Sequence, residues 1–328
     1  MRSKHEIPRV AILGGSNSGK STLARTLVGY AVRSGGEAVL VNLDVTKNDL
    51  GVPGSISASA FESTIDLLGE AGEISLSPPN PLIYFTGCDT IIGNVSRLKD
   101  QVGCLSAVVE KKLNSNQINK TSSGVIVDTF AYSSTDASYK VLLACVETLA
   151  VNIVVVIGED RLYAQLKKDM STKQTKIIKI GRSGGVVERD LNTRKRLASD
   201  RFRWYFEGPR LQLSPVRRIV QIGEEIQIFL IKAKTISDAS IRPIGMDTTL
   251  EDSYVPRATT ADQIFLNCIF AMMNCKDETD IMQSNVIGFV HVVEVDSEAG
   301  TLTLLVPCPG PLPSKYFLHG SLKWFEIQ

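Results

Sequence analysis

The sequence predicts an α/β protein in two parts. A mostly parallel sheet with covering helices is expected over residues 1–208, and a smaller β-rich domain over 209–328. Three observations predict it. An apolar run, Val10–Ala11–Ile12–Leu13, runs into Gly14–Gly15–Ser16–Asn17–Ser18–Gly19–Lys20–Ser21–Thr22 and then into a helical pattern at Leu23–Val28. That order of strand, G-x-x-x-x-G-K-S loop and helix is the signature of a P-loop NTPase fold. Residues 9–180 alternate apolar runs with helical patterns, as parallel sheets require. After Pro209 the texture changes to short alternating runs.

Each element follows from local signals. Arg9–Leu13 is the first strand. Lys20–Arg33 is a helix that Ser34–Gly35–Gly36 stops. Ala38–Leu43 is the second strand and ends at Asp44. Residues 45–80 carry turn signals, Val52–Pro53–Gly54 among them, and are expected to be irregular. Pro81–Gly87 is a strand, Val95–Leu113 a helix and Gly124–Asp128 a short buried strand. Ala137–Leu149 is a helix, and Asn152–Ile157 is the most apolar strand, expected at the centre of the sheet. Arg161–Asp169 is a short helix and Lys176–Ile180 the last strand of this part. Ile219–Ile222, Glu225–Ile231, Val286–Val295 and Thr301–Val306 are strands of the second.

Composition narrows the class of function. Hydrophobic residues make up 43% and charged residues 22% of 328, ordinary for a folded chain. Lys plus Arg (36) balance Asp plus Glu (35), so nucleic acid must be met by a local patch. The six cysteines form no C-x-x-C pair, which argues against a zinc ribbon and for reduced, mostly buried thiols. Three scattered histidines argue against a His-metal site or a Ser-His-Asp hydrolase. No apolar run approaches the ~20 residues of a membrane span, and no membrane partner is expected.

The loop chemistry is specific. Its glycines let successive backbone N–H groups turn inward on phosphate oxygens, and the next helix adds its positive end. Gly14, Gly15, Ser16, Asn17, Ser18, Gly19, Lys20, Ser21 and Thr22 are therefore the expected nucleotide-binding residues. Lys20 would reach the β/γ-phosphates, and the Ser21 hydroxyl would ligate Mg²⁺. A carboxylate must complete the metal site, and two stand at strand ends. Asp44 could serve the metal or act as base for an acceptor hydroxyl; Asp128 is the second, Walker B candidate. Thr46–Lys47–Asn48–Asp49 has the wrong order for a guanine-reading element, so ATP is the expected nucleotide. Residues 181–208 concentrate Arg182, Arg189, Arg194, Lys195, Arg196, Arg201 and Arg203 behind a Ser183–Gly184–Gly185 hinge. They read either as a lid that brings guanidinium groups to a transferring phosphoryl or as a solvated basic helix.

Together these motifs resemble a known family, the polynucleotide 5′-hydroxyl-kinase subunit of the eukaryotic mRNA 3′-end cleavage factor. The likeness rests on Gly14–Thr22, on Asn42–Leu43–Asp44 with Val52–Pro53–Gly54, and on Gly181–Arg189. It continues through Arg203–Gly208, Pro311–Lys315 and Gly320–Leu322. The resemblance implies transfer of the ATP γ-phosphate to an RNA 5′-hydroxyl, with ATP and Mg as cofactors and a nuclear location. RNA, the cleavage-factor subunits and the tRNA-splicing endonuclease are the implied partners. It implies an N-terminal β domain bordering the nucleotide, which is expected to be missing here, and a D-x-x-Q element at Asp44, with Lys47 in the Gln position. It also implies a T-x-G-W clasp at Thr129, with Ala131 and Tyr132 replacing Gly and Trp, and an R-x-x-x-R lid at Arg194, with Ala198 in the second position. Tyr132 would stack on a base with less area than Trp. Two other readings stay open: an inactive, ATP-loaded scaffold of the same complex, and a P-loop kinase of a small metabolite.

Overall fold

A computed structural model describes residues 7–63, 80–90, 95–117, 122–171, 174–231, 257–258 and 260–325. The chain divides into two compact units, Met1–Tyr84 with Val95–Ala198, and Phe85–Asn94 with Ser199–Gln328.

The first unit is built on β1 (Arg9–Gly14), α1 (Lys20–Arg33), β2 (Glu37–Asn42), β3 (Ser55–Phe61), β4 (Leu82–Phe85), α2 (Val95–Gln117) and β5 (Ser122–Asp128). α3 (Asp136–Thr148), β6 (Ile153–Ile157), α4 (Asp160–Asp169) and β7 (Lys176–Ile180) follow, and α5 (Leu191–Glu207) begins in the first unit and ends in the second. The sheet runs β4-β3-β2-β5-β1-β6-β7. β2, β5, β1, β6 and β7 are parallel, and β3 is antiparallel to β2. α1 lays Ala24 and Val28 on Ile12, Leu40, Ile126 and Ile157, which fixes the helix under the loop that precedes it. α3 starts at Thr135, whose hydroxyl accepts from Ser138 N at 3.3 Å.

Two expectations need correction. The stretch after Asp44 is not irregular throughout: it contains β3, Ser-Ile-Ser-Ala-Ser-Ala-Phe, with every position buried except Ala60. Small serines gave it no hydrophobic period. Asn48 satisfies two of them: its Nδ2 donates to Ser55 Oγ at 2.8 Å, and its Oδ1 accepts from Ser57 Oγ at 2.7 Å. Residues 64–79 of the stretch expected to be irregular lie outside the described residues. The second correction concerns β6, which is one strand from the sheet edge, whereas β5 holds the middle. Its apolarity reflects coverage on both faces, which any inner parallel strand has.

The second unit is a seven-stranded sheet of β8 (Val216–Gln221), β9 (Gln227–Leu230), β10 (Arg257–Ala258), β11 (Cys268–Met273), β12 (Val286–Asp296), β13 (Thr301–Val306) and β14 (Tyr316–Lys323). Its order is β10-β9-β14-β11-β12-β13-β8. Phe265, Phe270 and Phe317 fill its core. His291 sits 4.9 Å from the Trp324 ring centre, and its Nε2 is buried without a hydrogen-bond partner. Burial pushes the His291 imidazole down to about 4. Its folded-state pKa is below the unfolded value of 6.5, so the folded protein resists a proton that the unfolded chain accepts. Its contribution is present above pH 6.5 and lost as pH falls toward 4. His291→Phe is expected to remove roughly 2 kcal/mol of that acid-induced loss, read from urea midpoints at pH 7 and pH 4.5. Equal losses in the two proteins would contradict it.

Candidate nucleotide-binding site

The loop between β1 and α1 leaves the sheet at Gly14 and enters the helix at Gly19. Asn17 (φ 53°) and Gly19 (φ 94°) both adopt left-handed backbone, and at Gly19 a side chain would also crowd Val186 at 3.3 Å. Ser18 Oγ donates to Gly15 O at 2.9 Å, and Lys20 Nζ donates to the same carbonyl at 2.7 Å. Lys20 is buried, and its pKa is lowered, mainly by desolvation, although Asp128, Asp44 and Glu159 oppose that shift. A compact cation is thus held ready at the loop, with little water to shed when an anion arrives.

Strand register places the carboxylates. Ile12, Asp128 and Asn42 stand in one row across β1, β5 and β2. Asp128 is buried, and burial pushes its carboxyl up to about 7 despite a hydrogen bond from Ser21. Its Oδ1 has no hydrogen-bond partner. Asp44 lies two residues beyond β2. Its N–H donates to Asn42 Oδ1 at 2.9 Å, and its Oδ1 accepts from Thr46 N and Oγ1 at 3.1 and 2.7 Å. Desolvation raises its pKa, while Thr46 and Lys20 act against the rise. Both acids lie within electrostatic reach of Lys20.

The segment after β7 comes to the same loop. Asn17 Nδ2 donates to the Arg189 carbonyl at 3.4 Å, and Arg194, exposed on α5, is felt by Lys20. Gly14–Thr22, Asp44, Asp128 and Arg194 are thereby gathered in one place. Thr129 and Tyr132 are adjacent but differently engaged. The Thr129 hydroxyl donates to Ile12 O at 2.8 Å, Tyr132 N donates to Gly14 O at 3.0 Å, and the Tyr132 side chain is 9% exposed. Sequence reasoning missed Glu159, which follows β6 as Asp44 follows β2; Val186 and Arg189 belong to the stretch it read as a lid or a solvated helix. A polar residue one or two positions past each apolar strand was the available signal for Glu159.

This fold and site define a P-loop nucleotide-binding protein. Residues 14–208 match the family model of the mRNA cleavage and polyadenylation factor CLP1 P-loop, and 213–326 that of the pre-mRNA cleavage complex II protein Clp1. The chain belongs to the Clp1 family. A Clp1 homolog of Dictyostelium discoideum is 32% identical over 97% of this chain and 68% of its own length. A polyribonucleotide 5′-hydroxyl-kinase Clp1 of Xenopus laevis is 31% identical over 98% of this chain and 71% of its own. Among solved structures, a complex of wild-type Clp1p with a Pcf11p fragment superposes at TM-score 0.85 with 27% identity. It covers 99% of this chain and 76% of that one. Another, at 0.84, concerns an extended Pcf11p–Clp1p interface and ATP loss in a point mutant.

Proposed function

We propose that this chain binds ATP with Mg²⁺ at the β1–α1 loop and transfers the γ-phosphate to an RNA 5′-hydroxyl. We place that activity within the pre-mRNA 3′-end cleavage machinery. The observation that carries the reading is the arrangement of Ser21 and Asp128: a hydroxyl bonded to a buried carboxylate with one orphaned oxygen, beside a desolvated lysine. Among the described residues no group of three His, Cys, Asp or Glu side chains makes a standing metal site. A cation held by Ser21 and Asp128 would need phosphate oxygens to complete its shell, which suits Mg²⁺ arriving with a nucleotide. When bound, Mg²⁺ neutralises charge that develops on the phosphates. Lys20 holds the terminal phosphates, Asp44 accepts the proton of the attacking hydroxyl, and Arg194 approaches the phosphoryl from α5. Residues 1–208 carry the nucleotide in this reading, with 181–208 as the lid over it. Residues 209–328 serve as the second domain.

The names of relatives support the setting. One is called an mRNA cleavage and polyadenylation factor, others a polyribonucleotide 5′-hydroxyl-kinase. Cleavage-factor subunits of the Pcf11 kind, the tRNA-splicing endonuclease and RNA are the proposed partners, and the nucleus the proposed location. Purified protein given γ-labelled ATP and a 5′-hydroxyl oligoribonucleotide is expected to move label onto the RNA. Asp44→Asn is expected to lower that rate about 10²-fold while nucleotide binding changes little. A folded, ATP-loaded protein that transfers nothing would leave the second reading, a nucleotide-loaded scaffold. Tyr132 favours that alternative, because a buried ring offers little face to a base.

A further inference from the structure

Two of the three carboxylates that surround Lys20 already have work. Asp44 follows β2 by two residues and Asp128 ends β5, two strands on one side of β1. Asp128 senses the charge of Asp44, and Ser21 bonds to Asp128. Glu159 comes from β6, on the other side of β1. Gly14 pairs with Ile157 at the end of that strand, so the chain turns past Gly158 and sets Glu159 against the first loop residues. A methyl group added to Gly15 would stand 2.5 Å from Glu159 Oε1. Glu159 is felt by Lys20, yet it is not among the main charges acting on Asp44 or Asp128. It precedes α4 without capping it by its side chain, so helix initiation does not explain it.

We infer that Glu159 is an affinity-setting residue, a fixed negative charge on the flank of the phosphate loop away from Ser21 and Asp128 that weakens its hold on nucleotide. The inference rests on the proposed nucleotide site. In the empty loop the carboxylate is a counter-charge for Lys20. When polyphosphate arrives it becomes a like charge, and a cation held at Ser21 and Asp128 is on the wrong side of the strand to neutralise it. Such a charge shortens the residence of the nucleotide and favours exchange of spent for fresh, as turnover requires. A permanently loaded scaffold has no use for it.

The test is the affinity of the wild-type chain, Glu159→Gln and Asp160→Asn for ATP·Mg²⁺ and for tripolyphosphate, at 50 mM and 500 mM salt. Asp160 is the control: it carries the same charge one residue on, is exposed and is paired with Lys179. Glu159→Gln is expected to tighten both ligands about five- to tenfold at low salt, with slower ATP release and a smaller gain at high salt. Asp160→Asn is expected to change neither by more than twofold. Unchanged or weaker binding by a folded Glu159→Gln protein overturns the inference while leaving the nucleotide site standing. Tighter tripolyphosphate with weaker ATP overturns it too, because the carboxylate would then be serving the nucleoside. Wild type that binds neither ligand overturns both the inference and the site on which it rests.

Discussion

Lys20→Ala is expected to lower phosphoryl transfer at least 10³-fold and ATP affinity at least tenfold. The size follows from where the amine is held. Lys20 is buried, tethered to Gly15 O at 2.7 Å, and has lost most of its hydration. A cation in such surroundings acts on phosphate far more strongly than one in water, and it needs no reorganisation when the ligand arrives. Among the described residues neither neighbouring arginine replaces it: Arg194 reaches the region from an exposed position on α5, and Arg25, one turn further along α1, is committed to Asp49. Equilibrium binding with labelled ATP and a single-turnover transfer assay separate the two losses. Wild-type ATP affinity in Lys20→Ala would sink the assignment.

Asp49→Ala is expected to destabilise the first unit by about 3–5 kcal/mol, roughly 10 °C in melting temperature. Arg25 and Asp49 form an ion pair with side chains 9% and 2% exposed, and Lys47 Nζ adds a weaker contact to Asp49 at 3.8 Å. Removing the carboxylate strands the guanidinium inside the protein, and that uncompensated charge sets the magnitude rather than the lost attraction. The double variant Arg25→Met/Asp49→Ala, which leaves no buried charge, is therefore expected to recover most of the loss. A single variant that melts within 2 °C of wild type would show that water reaches the pair.

The phosphate loop was legible because its chemistry is local. Glycines, Lys20 and Ser21 must occur in sequence for the backbone to wrap an anion, so one stretch specifies the whole cradle. The choice between Asp44 and Asp128 was not legible. Both follow apolar runs, and only the register of β5 against β1 and β2 shows which one faces Ser21. β3 escaped because serines alternate with its buried Ile56 and Ala58, and serine burial supported by hydrogen bonds leaves no apolar rhythm. Glu159 escaped because its position depends on which strand lies next to β1, and neighbours in a parallel sheet are not neighbours in sequence.

Tyr132 N, bonded to Gly14 O at 3.0 Å, divides the loop into two regimes. Upstream, β1 is stitched to β5 and β6 along its length. Downstream, Ser16 and Asn17 reach solvent, with no ladder to hold them. Amide hydrogens should therefore exchange with deuterium slowly up to Gly14 and quickly over Ser16 and Asn17, with Tyr132 counted on the slow side. Its amide is a reporter placed outside the cradle. Ligand that merely settles on the tip will slow the tip alone, whereas ligand that tightens the loop down to its root will slow Tyr132 as well.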